Sequence, residues 1–126
     1  MFFLGRQPFS RFYSYMRYAD VNVIPHKSNS HTDHTIPHKL FQGMMTGKPM
    51  LVSSSAPLKR LIIQAQAGLV FEAGDADSLA ASIMELNTHP ETCRQLGNNG
   101  ITATTAGRMN WETDQHVLVE LYNNLK

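Results

Sequence analysis

From His31 to Ser53 the chain reads HTDHTIPHKLFQGMMTGKPMLVS, and this stretch decides the fold. Pro37 suits the first position of a helix, where its fixed φ fits and its missing N–H would have no partner. Leu40, Phe41, Met44 and Met45 recur at the spacing that lines one helical face. Gly47 supplies the left-handed residue that commonly ends a helix, and Pro49 blocks continuation. Met50-Leu51-Val52 then reads as a short apolar strand. Upstream, Val21 to Ile24 reads as another strand, closed by Pro25. A strand, loop, helix and strand in this order predict a crossover with two parallel, neighbouring strands. The loop from His26 to Ile36 then falls at the carboxyl end of the first strand, where open α/β sheets bind ligands.

The rest of the chain extends this pattern. Met1 to Leu4 is expected to form a strand, closed by Gly5. Pro8 opens a helix with Phe9, Phe12, Tyr13 and Met16 on one face, a spacing that points to core packing rather than a stacking platform for a base. After the central stretch, Pro57 begins a helix carrying Leu58, Leu61, Ile62 and Ala65, which Gly68 is expected to end. Leu69 to Phe71 makes a fourth strand. Asp77 or Ser78 caps a helix with Leu79, Ile83 and Leu86 facing inward. Pro90 opens another helix through Leu96, and Gly97-Asn98-Asn99-Gly100 is expected to interrupt it. Trp111 precedes a last amphipathic helix with Leu118, Leu121, Tyr122 and Leu125. The sum is an α/β chain: about four parallel strands in a Rossmann-like half domain, with flanking helices and extra C-terminal helices.

Composition sets limits. The 126 residues suffice for one domain or part of one, and 42% apolar residues are enough for a core. A net charge of +1 gives no electrostatic case for nucleic acid or a membrane surface. No apolar run approaches the ~20 residues of a membrane span. Met1 to Leu4 is too short for a signal-peptide core, so a cytoplasmic setting is the default. The single cysteine, Cys93, has no internal disulfide partner and reads as a small buried or half-buried side chain.

Several runs together resemble the group 1 glycosyltransferases (glycosyltransferase family 4, GT-B fold). They are Gly5-x-Gln7-Pro8-Phe9-x-x-Phe12-x-x-Tyr15, Ala19-Asp20-Val21, Ile24-Pro25, Pro37, Leu40-Phe41, Met44 and Gly47-Lys48-Pro49. The likeness extends through Gly68-Leu69-Val70 and Gly74-Asp75 and covers nearly the whole chain. The resemblance implies that residues 1–126 are the second half of a C-terminal, nucleotide-sugar-binding domain. The partner it implies is an N-terminal acceptor domain, absent here, as is the upstream loop bearing the family's basic residues for the donor pyrophosphate. Contact with a membrane surface is expected only through a longer protein, and a free sheet edge could pair with a second copy of the chain. The isolated chain is expected to fold but to turn over no substrate.

The family holds the leaving diphosphate with backbone groups at a helix start. Free N–H groups and a partial positive charge suit phosphate oxygens there. Carried over, this assigns donor binding to Thr35, Ile36, His38 and Lys39, with the amides of His38 and Lys39 on the diphosphate. The family also places two glutamates eight positions apart, one on the donor sugar and one on the ribose hydroxyls. The matching positions here are His34 and Gln42. Gln42 can accept from a ribose hydroxyl through its carbonyl oxygen, without the added strength of a charged acceptor. A neutral imidazole at His34 can bind a sugar hydroxyl but hardly offsets positive charge on the sugar carbon; Asp33 beside it offers a carboxylate. His34 is the candidate catalytic residue.

Other chemistries fit less well. His26, His31, His34 and His38 with Asp33 invite a metal, but no pair sits in an HExxH frame and structural zinc sites usually add cysteines. The resemblance likewise implies no catalytic metal and no cofactor. Ser53-Ser54-Ser55 lacks the Gly-x-Ser-x-Gly setting of a nucleophile. Lys59 and Arg60, at the next helix start, lie on the carboxyl side of the sheet within reach of a donor, but read better as solvated surface. Two functions stand: the donor-binding part of a retaining glycosyltransferase, or a non-catalytic α/β module that binds a nucleotide or a protein on the same edge.

Overall fold

The computed structural model describes residues 2–125. Three strands, β1 (Asn22–Ile24), β2 (Met50–Ser53) and β3 (Gly68–Phe71), form one parallel sheet in the order β1-β2-β3. Helix α1 (Phe12–Tyr18) precedes β1, following a single 3-10 turn at Phe9–Arg11. Helix α2 (His38–Met44) connects β1 to β2, and α3 (Ala56–Ala65) connects β2 to β3. Helices α4 (Ala76–Thr88), α5 (Pro90–Thr104) and α6 (Trp111–Asn124) finish the chain.

Register explains why β2 is apolar from Met50 to Val52. Met50 and Val52 face the cluster made with Leu40, Met44, Leu58 and Ile62 of α2 and α3. Leu51 faces the opposite cluster with Phe71 and Leu86, to which Leu79, Cys93 and Leu96 of α4 and α5 add. A central strand covered on both sides needs no polar alternation. Leu40, Met44, Met50, Leu51, Leu58 and Ile62 are fully buried, each contributing roughly 1.5–3 kcal/mol relative to exposure.

The crossover predicted around residues 31–53 is present, with its helix start displaced by one position. Pro37 is extended (φ −74°, ψ 134°) and caps α2 from outside, so His38 is the first helical residue. The helix ends at Met44 with Met45 as its C-cap, and Gly47, expected to end it, takes φ +72° in the turn that follows. Met45, expected on the inward face, is largely exposed.

Other expectations are corrected. Phe2 to Leu4 is not a strand: these side chains lie in solvent and pair with nothing in the sheet, which therefore has three strands; Met1 lies outside the described residues. Of the aromatic face before β1, only Met16 is buried. Phe9 and Phe12 stack on each other at 5.8 Å instead of entering the core. The α4 cap is neither Asp77 nor Ser78 but Asp75, whose Oδ1 accepts from the amides of both, at 2.9 and 3.0 Å. Ile83 of α4 stays partly exposed while Leu86 is buried. Gly68 does not end α3. That role falls to Gln66, in the left-handed conformation at φ 49°, while Gly68 begins β3. A Cβ on Gly68 would lie 1.9 Å from the Met50 carbonyl oxygen, so its glycine serves close strand contact.

The largest departure is α5, which runs unbroken through Gly97-Asn98-Asn99-Gly100. Both glycines are buried where α5 passes the amino edge of the sheet. A Cβ on Gly97 would meet the Gly47 carbonyl oxygen at 2.1 Å, and one on Gly100 would press on Met44. Asn99 donates to the Gln66 carbonyl at 2.9 Å, so the same turn also fastens the end of α3. Helix α6 begins at Trp111, capped by Asn110 through the Thr113 amide, and has no buried residue.

Candidate functional site

The loop from Pro25 to Ile36 rises from the carboxyl end of β1 and is braced by its own side chains. Asn29 Oδ1 accepts from the amides of His31 and Thr32, both at 3.0 Å. The Thr32 hydroxyl donates to the Lys27 carbonyl. Ser28 donates to the Asp33 carboxylate, 2.9 Å from Oδ2 and 3.1 Å from Oδ1. Thr35 donates to the His31 carbonyl at 2.7 Å. Ile36 ties the end of the loop to the core cluster under α2 and α3.

His34 is exposed, with Nδ1 2.8 Å from the Ser30 carbonyl oxygen. A carbonyl only accepts, so in the neutral ring Nδ1 carries the proton and Nε2 is left as an acceptor. His26, at the foot of the loop, is held below the usual histidine pKa of 6.5, first by burial and then by the charges of Lys39 and His31. Its Nδ1 is enclosed without a hydrogen-bond partner, as are the hydroxyls of Ser53 and Ser55 at the end of β2 and the start of α3. These three orphaned atoms all belong to the carboxyl rim of the sheet, and orphaned polar atoms are costly unless something satisfies them.

An open groove of about 330 Å³ lies on this rim, lined by Asp33, His34 and Ile36 from the loop and Ala56, Pro57 and Arg60 from α3. It unites two of the sequence-derived site residues, His34 and Ile36. His38 and Lys39 stand in the first turn of α2, where amides lack partners within the helix. The His38 side chain lines a different groove, with Phe41, Met45 and Trp111. Gln42 is half-buried one turn further along α2, and Thr35 is half-buried in the loop. Arg60, expected on the carboxyl side of the sheet but as solvated surface, instead lines this groove opposite His34.

A larger concavity of about 500 Å³ lies elsewhere, lined by residues such as Val21, Lys48, Pro49 and Pro90 at the amino edge. It carries Asp20, Lys48 and Arg94 but no imidazole, and ligands of open α/β sheets bind at the other edge. Among the described residues, no three His, Cys, Asp or Glu side chains are grouped to hold a metal ion.

The sequence matches the family described as glycosyl transferases group 1 over residues 1–103. The chain belongs to this family. An uncharacterized glycosyltransferase of Methanocaldococcus jannaschii, MJ1178, is 29% identical over 97 residues, which are 77% of this chain and 26% of that protein. The structure is similar to sucrose-phosphate synthase from Thermosynechococcus elongatus, with TM-score 0.75 and 28% identity over 88% of this chain and 26% of the other. The fold is like that of a GT-B C-terminal domain. The chain thus spans about a quarter of the relatives it matches. In this group 1 glycosyltransferase chain, no helix among the described residues is long and apolar enough to cross a membrane.

Proposed function

We propose that the chain is the donor-binding part of a retaining family 4 glycosyltransferase, which moves a sugar, of hexosyl type, from a nucleotide-sugar to a glycan, lipid or other acceptor in the cytoplasm. Residues 1–126 act as the second half of its C-terminal domain. The acceptor is bound by a separate N-terminal domain, and the chain alone turns over no substrate. The free edge of β1 is open to a further strand, from a longer protein or from a second copy.

The observation that carries this reading is the groove on the carboxyl rim, walled by His34, in a chain of this family. Cleaving a nucleotide-sugar requires the diphosphate to be held while positive charge builds on the sugar carbon. The amides of His38 and Lys39, with Thr35 and Ile36 before them, hold the diphosphate through the partial positive charge of the helix start. Gln42 takes the ribose hydroxyls. His34 Nε2 accepts from a hydroxyl of the sugar, and Asp33 supplies the negative charge that imidazole lacks.

Calorimetric titration with UDP, GDP and ADP tests the reading. One of the three is expected to bind, and Gln42→Ala to weaken it about tenfold, the worth of one hydrogen bond in a ligand site. Failure of all three to bind would overturn the donor assignment.

A further inference from the structure

The groove that holds His34 has a second wall, which neither diphosphate nor ribose binding explains. Arg60 stands on that wall, in the second turn of α3. The one ion pair among the described residues joins Arg94 to Glu91, so the Arg60 guanidinium is not committed to a carboxylate. Facing it from the loop are two acceptors. The Asp33 carboxylate receives one hydroxyl, that of Ser28, and retains lone pairs on both oxygens. His34 has its Nδ1 proton on the Ser30 carbonyl, which leaves Nε2 free to accept. Ile36, Ala56 and Pro57 add apolar surface. Ser55, the residue before Ala56, is 2% exposed and its hydroxyl has no hydrogen-bond partner.

A five-donor cation, two acceptors and a strip of carbon match a polyhydroxylated ring. Each hydroxyl of such a ring both donates and accepts, and its C–H face can lie on Ile36 and Pro57. A phosphate matches poorly, because Asp33 would repel it. The geometry points to Arg60 as a sugar-specificity residue. It donates to a hydroxyl oxygen of the donor sugar, whose proton goes to Asp33 or to His34 Nε2. This assignment rests on the donor-binding reading above and adds to it the residue that tells one sugar from another.

The test uses the 126-residue chain and two variants, Arg60→Gln and Lys59→Gln, the second removing the same charge one position away. Each is titrated with UDP, GDP and ADP and with UDP-glucose, GDP-mannose and ADP-glucose. Arg60→Gln is expected to weaken binding of the preferred nucleotide-sugar about tenfold while the matching nucleoside diphosphate binds as before. Lys59→Gln is expected to change neither. If Arg60→Gln weakens the nucleoside diphosphate equally, Arg60 is a phosphate ligand and the assignment is overturned. It is also overturned if nucleotide-sugar binding is unaltered while the diphosphate still binds, and the donor site then survives without it. If the unsubstituted chain binds none of the six compounds, both readings fall.

Discussion

Gly97 of α5 lies directly against Gly47, in the turn between α2 and β2: a methyl group at Gly97 would sit 2.1 Å from the Gly47 carbonyl oxygen. The contact joins α5 to the turn entering β2, and so fixes where the central strand begins. Gly97→Ala must push α5 away from the backbone of another element, which no side-chain rotation relieves. The expected cost is about 2–3 kcal/mol, read as a lower urea midpoint with an unchanged slope. An unaltered midpoint would mean that α5 does not press on the Gly47 turn.

Asp75 caps α4 with one carboxylate oxygen on two amides. Asp75→Ala should cost about 1 kcal/mol, and Asp75→Asn much less, because the amide oxygen still accepts. Thermal unfolding of the two variants checks this. Equal losses would show that charge rather than the hydrogen bonds matters at this helix start.

These two contacts mark where the sequence was not legible; the crossover was. Pro37, Gly47 and Pro49 punctuate the crossover by local backbone chemistry, so the loop, helix and strand around His34 could be read from residue types alone. Glycine at 97 and 100 was ambiguous, because a helix break and a close helix contact call for the same residue. Only the position of Gly47 and Met44 in space decides between them. The end of α3 was misjudged for a related reason: the glycine at 68 is taken by the approach of Met50, leaving Gln66 to adopt the left-handed turn. Met1 to Leu4 has strand-like composition, but Phe2 to Leu4 find no neighbour in the sheet, and pairing is not a local property. Of the candidate site, His34 is singled out by its place in the family pattern. Arg60 is only half legible: its place after β2 puts it on the carboxyl side, but a charged residue there looks the same whether it faces solvent or a groove.

His26 predicts a pH dependence. Burial, helped by Lys39 and His31, holds its folded pKa below 6.5, so the unfolded chain takes up the proton first on acidification. Its contribution is complete above the unfolded pKa and is lost as pH falls through the folded value. The melting temperature should therefore drop more steeply from about pH 7 to about pH 5 in the unsubstituted chain than in His26→Asn. Parallel curves would show that His26 titrates alike in both states.

Gln42 stands where the family pattern has a glutamate, which offers a gain-of-function test of the donor reading. A charged acceptor makes hydrogen bonds roughly twice as strong as a neutral one, so Gln42→Glu should tighten binding of the preferred nucleoside diphosphate about fivefold. Calorimetry on the variant reads this directly. Weaker binding would place Gln42 away from the ribose.

The family match stops at residue 103, inside α5, and α6 follows with no buried side chain. A helix of this size is marginal in water when nothing covers it. Trp111, the only tryptophan, is the first residue of that helix. Its fluorescence therefore reports on an appendage, and a melting curve recorded by that signal would understate the endurance of the sheet, which far-ultraviolet dichroism would show unfolding later.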